Sequence, residues 1–151
     1  MLIDLLRLPE SGERFRGEEP ASILELAPED EIHALGPVYY DLTAVVISGE
    51  LIVRGMVGVR VECLCSRCGE PFSLEARDTE FEVSKNVAGL ESVDLTEEIR
   101  EASILAFPSF PLCRESCRGL CPVCGTNLNR GSCACTRPAD SRWDALNWLE
   151  L

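Results

Sequence analysis

Aromatic residues are scarce, at 6% of the 151-residue chain, so a core has to rest on Val, Leu and Ile. Histidine occurs once, at His33, and lysine once, at Lys85. A lone histidine without a neighbouring cysteine argues against a His-bearing catalytic zinc site and against a Ser/His pair. No apolar run is long enough to span a bilayer, which excludes a membrane helix. The opening "MLIDLLRLPESGERF" carries Asp4 and Arg7 inside its apolar stretch and offers no small-residue cleavage site. It does not read as a signal peptide, so the expectation is a cytoplasmic protein without a membrane partner. A net positive charge is also missing: the formal charge is −12. Taken whole, the chain is not a basic nucleic-acid binder. No phosphate-binding glycine loop, internal repeat or low-complexity tract is present.

Cysteine is what the chain has in excess. Nine cysteines occur, five of them within "CRGLCPVCGTNLNRGSCAC", Cys117 to Cys135. In a reducing compartment such clusters are metal ligands or redox groups more often than disulfides. Eight fall into close pairs: Cys65 with Cys68, Cys113 with Cys117, Cys121 with Cys124, and Cys133 with Cys135. "CSRCGEP" and "CPVCG" are knuckles, in which two thiolates grip one ion and the following glycine lets the chain turn. Zinc is the expected cofactor, as one or two ions; an iron–sulfur cluster accepts the same four thiolates. Two groupings are open. The favoured one closes a local site from Cys121, Cys124, Cys133 and Cys135 and joins Cys65 and Cys68 to Cys113 and Cys117. The rival makes one site of Cys113, Cys117, Cys121 and Cys124. Sites that thiolates can fill completely are structural rather than catalytic, so no catalytic residue is assigned. A redox CxxC belongs at a strand–helix junction, whereas Cys65–Cys68 lies between two strand-like segments.

The remaining pattern is that of strands. "DLTAVVISGELIVRGMVGVRVECLC" is rich in Val and Ile, with a hairpin turn at Ser48-Gly49-Glu50. Leu51, Val53, Gly55, Val57, Val59, Val61 and Cys63 alternate onto one face, which makes Cys63 a core thiol. "PFSLEARDTEFEV" continues the alternation. Residues 1–8 read as a strand or short helix, and the charged stretch after them as loop with a short strand near Ile23–Leu26. In "VDLTEEIREASILAFP", Asp94 reads as a helix N-cap with Glu97 as its capping-box acid. "ADSRWDALNWLEL" reads as a final helix with an apolar stripe of Trp143, Leu146 and Leu149.

The expected fold is therefore α+β: mainly an antiparallel β-meander with a central helix, a cysteine-rich zinc-knuckle segment and a short C-terminal helix. It forms a single domain over 1–151. Its parts are an N-terminal strand with acidic loops (1–40), the meander plus helix (41–112), the knuckle segment (113–137) and the last helix (138–151).

"VECLCSRCGEPF", "VDLTEEIREASILAFPSFPLC", "CRGLCPVCGTNLNRGSC" and "DSRWDALNWL", in that order, resemble the YceD family, the large ribosomal RNA subunit accumulation proteins. The resemblance covers about Asp41 to Leu149. It carries a CxRC element onto Cys65, Arg67 and Cys68, and a GLCxxCGxNLN element onto Gly119 to Asn129. It implies a non-enzymatic role in 23S ribosomal RNA accumulation and large-subunit assembly, with ribosomal RNA or a pre-ribosomal particle as partner. Between Pro111 and Arg137 there are four arginines and one acid, Glu115. Arg114, Arg118 and Arg130 are the candidate RNA or partner contacts. The same arginines, with Arg67, could instead offset the negative charge of zinc–thiolate sites. Two other readings compete: an acidic adaptor or chaperone for a basic ribosomal protein, and a metal-dependent or redox enzyme.

Overall fold

Three long strands carry the molecule. The computed structural model describes residues 1–136, so the expected helix over 138–151 lies outside the described residues, as does residue 137. β1 (Leu2–Asp4), β2 (Glu13–Glu19), β3 (Ile32–Ile47), β4 (Glu50–Leu64), β5 (Pro71–Asn86) and β6 (Ser92–Asp94) precede one helix, α1 (Thr96–Leu105). β2, β3, β4 and β5 form an antiparallel sheet in chain order, and β1 pairs with β6 in a separate two-stranded ribbon. The architecture is thus sheet-dominated and antiparallel, with one helix and a cysteine-rich segment. The helix is peripheral rather than central, a ten-residue cover over one face of the sheet near β4 and β5.

Alternation fixes which face is covered. Leu51, Val53, Val57, Val59 and Val61 of β4 are fully buried, beside Val38, Leu42 and Ala44 of β3 and Ala76 and Phe81 of β5. Ile99 of α1, Leu24, Ile3 and Leu95 close the core from above. Buried β-branched residues on a pleated face are where valine contributes most, which is how a chain poor in aromatics builds a dry interior. Ser103, also buried, returns its hydroxyl to the Ile99 carbonyl at 2.6 Å, so its burial leaves no unpaired group.

Two irregularities tune the sheet. Between Ala34 and Val38, β3 carries extra residues opposite β4, at Gly36-Pro37, where a proline can sit without breaking a ladder. Opposite Gly55–Val57, β5 advances from Asp78 to Phe81, one residue more than its partner. That bulge switches the parity of β5, so Ala76 and Phe81 face the same core. Gly55 makes the crossing possible. Its φ is +153°, and a β-carbon there would lie 2.9 Å from the Leu42 Cα and closer still to the Asp41 carbonyl.

The N-terminal third departs from expectation. The stretch read as loop contains β2, and Ile23–Leu26 is not a strand: Ala21–Leu24 is a single 3₁₀ turn. β3 begins at Ile32, well before the Val-rich stretch that opens at Asp41. β2 is an edge strand, and edge strands carry charge that masks their period. Arg14 and Arg16 both reach Asp41 on β3, at 2.6 and 2.9 Å, while Phe15 between them turns toward the core. Hydrogen bonds from Arg14 and then Arg16 hold the Asp41 carboxyl down at about 2. The helix N-cap also shifts by one residue. Leu95 occupies it, and Asp94 instead accepts the Thr96 amide at 3.0 Å and hydroxyl at 2.6 Å. Glu97 pairs with Arg100 rather than closing a capping box.

Gly55→Ala is expected to destabilise the protein by about 2–4 kcal/mol, through overpacking against fixed backbone. That lowers the thermal midpoint by roughly 5–15 °C. Gly36→Ala, where an added β-carbon meets nothing within 4 Å, should stay within about 0.5 kcal/mol of wild type. Paired thermal or urea denaturation curves measure both.

Candidate metal centres

The first knuckle is the turn that joins β4 to β5. Leu64 and Pro71 are the last ladder partners, and Cys65–Glu70 close the hairpin between them. The Cys65 amide donates to the Glu70 carbonyl at 2.9 Å, and the Gly69 amide to the Cys65 carbonyl at 2.8 Å. The second knuckle repeats this arrangement. Cys121 donates to the Thr126 carbonyl at 2.8 Å and Gly125 to the Cys121 carbonyl at 2.9 Å. Gly69 and Gly125 adopt φ of +69° and +72°, a left-handed turn that suits glycine.

After α1 the chain runs back past the β4–β5 turn, and the Ser66 amide donates to the Pro111 carbonyl at 2.8 Å. That contact delivers Cys113 and Cys117 to the first knuckle. Cys65 and Cys117 sulfurs stand 3.8 Å apart, and those of Cys68 and Cys113 3.9 Å. All four sulfurs lie within 4.8 Å of one another, as do the four of Cys121, Cys124, Cys133 and Cys135. A tetrahedral ion with Zn–S bonds near 2.3 Å needs sulfurs about 3.8 Å apart. A disulfide needs about 2.05 Å, so the spacing suits a shared ion. Among the described residues these are the two groups that could hold a metal. The rival grouping of Cys113, Cys117, Cys121 and Cys124 is not formed. Cys63 stays outside both, 3% exposed, and burial pushes its thiol up. His33 sits opposite Glu62 in the β3–β4 register, apart from either group.

The polar surroundings fit thiolates. Burial works against ionising Cys65, yet amides of Cys113, Arg67 and Cys68 outweigh it and bring the thiol to about 6. Burial likewise opposes the Cys117 thiolate, but the Asn129 amide, 3.3 Å away, and the Gly119 amide favour it. The Thr126 hydroxyl and amide lower Cys124 to about 6, and the amides of Cys124 and Val123 lower Cys121. The remaining four move the other way. Burial and the neighbouring sulfurs push Cys113 up to about 12. Cys135 is pushed up to about 12 by the Cys124 sulfur and by burial. At Cys68 the Glu70 amide favours the thiolate, but burial and the sulfurs of Cys65 and Cys117 raise it; Cys133, despite the Cys135 amide, is raised mainly by Cys121 and burial. In each group, two sulfurs are thus favoured toward the thiolate and two are held back from it.

The two groups are welded together by residues that the sequence did not single out for this role. Asn129 donates to the Cys117 sulfur while its carbonyl oxygen accepts the Arg118 amide at 2.8 Å and the Arg114 guanidinium at 3.0 Å. Glu70 accepts from Asn127 at 3.3 Å and pairs with Arg130 at 2.7 Å. Arg67 donates to the carbonyls of Glu115 and Cys117, and its own carbonyl takes the Leu120 amide at 3.1 Å. Of the candidate contact residues, Arg114 and Arg130 are therefore partly engaged within the chain. Arg118 is exposed, and its guanidinium has no ion pair among the described residues. The two groups differ in exposure. Cys65, Cys68 and Cys117 are buried, whereas Cys124 and Cys135 are exposed.

Zinc added to the reduced, metal-free protein at pH 7.5 is expected to release at least two protons per ion bound, since binding requires four thiolates and two thiols in each group are pushed toward the protonated form. An indicator dye in weak buffer reads this. Acid works in the opposite direction: protons compete with the ion for the sulfurs, so affinity for zinc falls as the pH is lowered. Cys121→Ser should lose one of two zinc equivalents and Cys63→Ala none, as measured by elemental analysis. Equal loss in both variants would show that Cys63 had been misassigned.

Comparison with known proteins places this site in context. The sequence model of the family described as "Large ribosomal RNA subunit accumulation protein YceD" matches residues 75–150. Uncharacterized proteins of Mycobacterium bovis and Mycobacterium tuberculosis are 26% identical over 97% of this chain and 79% of their own length. An uncharacterized protein of Mycobacterium leprae is 29% identical over 61% of this chain and 49% of its own. No solved structure matches.

Proposed function

This chain belongs to the YceD family, and from that premise we propose that it is a non-enzymatic factor for 23S ribosomal RNA accumulation and large-subunit assembly. The observation that carries the reading is the reach of the family match. It takes in β5 from Glu75 onward, α1 and the segment that supplies Cys113, Cys117 and the whole second cysteine group. In this reading the two groups hold structural zinc. Four thiolates complete a tetrahedron and leave no open position for water, so the ion shapes a surface and does not carry out chemistry. In this reading the protein works in the cytoplasm, where ribosomal subunits are assembled.

The surface shaped in this way is the cluster of arginines on the knuckle segment, Arg114, Arg118 and Arg130. A net charge of −12 opposes RNA at long range. Fields beyond about 8–10 Å are largely screened at physiological salt, so a local basic patch can still engage phosphate. The internal partners of Arg114 and Arg130 hold their side chains in place, and a positioned guanidinium retains free N–H donors for a phosphate. The acidity of the rest of the molecule favours a second reading, an adaptor that binds a basic ribosomal protein.

Replacing Arg114, Arg118 and Arg130 together with Gln separates the two. If they contact phosphate, the slope of log affinity for ribosomal RNA against log salt should flatten by roughly 2, at about 0.7–0.9 per contact. Zinc content should not change. RNA binding that the triple variant leaves intact, or capture of a basic ribosomal protein by a wild type that binds no RNA, would establish the adaptor instead. Co-purification from cells with and without RNase supplies the second readout.

A further inference from the structure

Asn129 belongs to the second cysteine group by sequence and to the first by contact. It lies between Cys124 and Cys133 in the chain. Its side-chain amide nevertheless donates to the sulfur of Cys117, a member of the other group, at 3.3 Å. The orientation of that amide is fixed by its neighbours. Its oxygen accepts the Arg118 amide at 2.8 Å and the Arg114 guanidinium at 3.0 Å. The nitrogen end therefore faces the sulfur and the Asn127 side-chain oxygen, the latter at 3.0 Å, since both can only accept. Asn127 in turn donates to Glu70, on the turn of the first knuckle, at 3.3 Å.

The loop that carries Asn129 is fastened on both sides. On one side Leu120 and Asn127 form an isolated β-bridge, and the Leu128 amide donates to the Gly119 carbonyl at 2.9 Å. On the other side, residues 131–136 belong to no helix, strand or turn. Cys133 and Cys135 tie that stretch to the knuckle by meeting Cys121 and Cys124. An ion shared by those four sulfurs closes the loop around Asn129. A group that donates to a ligand sulfur steadies the ligand and offsets part of its charge, and such partners set metal affinity by roughly 10–100-fold. We propose that Asn129 couples the two candidate metal centres: filling the second group holds its amide against Cys117 and so raises the affinity of the first group for its ion. Coupling of binding is reciprocal, so an ion in the first group tightens the second by the same factor. The second group is the one a chelator reaches more readily, because Cys124 and Cys135 are exposed whereas Cys65, Cys68 and Cys117 are buried. The inference rests on the reading that both groups hold an ion.

Zinc competition against a chromophoric chelator, on the reduced full-length chain, tests the coupling in a cycle of four proteins. Cys124→Ser with Cys135→Ser empties the second group at its two exposed positions. First-group affinity is expected to fall roughly 10–100-fold in that variant, and by a similar factor in Asn129→Ala. The two changes combined should cost little more than either alone, because each removes the same contact. Loading with cadmium-113 reads the contact itself. Two resonances are expected, and the one that survives emptying of the second group belongs to the first. Asn129→Ala should move that resonance in the fully loaded protein and leave it nearly still once the second group is empty, with the far-ultraviolet circular dichroism unchanged. The proposal alone is overturned if two ions load independently. It is also overturned if emptying the second group costs the first the same factor with and without Asn129, or if the first-group resonance ignores Asn129→Ala. A chain that takes up no ion overturns the metal reading and the proposal together.

Discussion

The contact between the β4–β5 turn and the segment after α1 is the constraint on which the rest of the molecule depends. Cys65 and Cys117 are 52 positions apart in the chain and meet sulfur to sulfur. Closing a loop of that length costs roughly 3.5 kcal/mol of chain entropy. Four thiols, two of them pushed toward the protonated state by their neighbours, do not attract one another strongly enough to offset that cost unaided. A divalent ion changes the sign of the problem, because each extra thiolate then becomes favourable. The same closure lays Leu112 and Phe72 against the sulfurs. In this account one coordination bond set holds the sheet end, the helix exit and the second knuckle in register.

The second group of sulfurs stands in a different relation to the fold. Its knuckle copies the backbone hydrogen bonding of the first, but no long strand ends in it, and two of its cysteines are exposed. Its link to the body is the set of contacts through Arg67, Glu70 and Asn129. These residues use charge-assisted and amide hydrogen bonds across 57 and 60 positions at Glu70. Such bonds are individually modest, yet they fix the orientation of the arginine-bearing surface relative to the sheet.

How much of this was readable beforehand follows from what each residue type signals alone. The Val-rich alternation of β4 is a local pattern and marks its buried face directly, whereas the parity switch of β5 between Ala76 and Phe81 shows only against its partner strand. The two CxxCG segments declare themselves because thiolate geometry demands that spacing. β2 was hidden because an edge strand with Arg14, Gly17 and a run of acids looks like loop until Asp41 is seen opposite it. The shift of the helix cap from Asp94 to Leu95 reflects competition for one carboxylate by the Thr96 amide and hydroxyl. Asn129 and Glu70 carried no local signal for their welding role, since their partners are brought to them only by the fold.

The central claim is that each four-cysteine group binds one ion through sulfur alone. X-ray absorption at the zinc edge, on protein purified without added metal, tests it most directly. The account requires two zinc equivalents per chain and a first shell of four sulfurs near 2.3 Å, with no nitrogen or oxygen contribution. A shell containing nitrogen or oxygen, or a single equivalent with one group of thiols freely reactive, would contradict it.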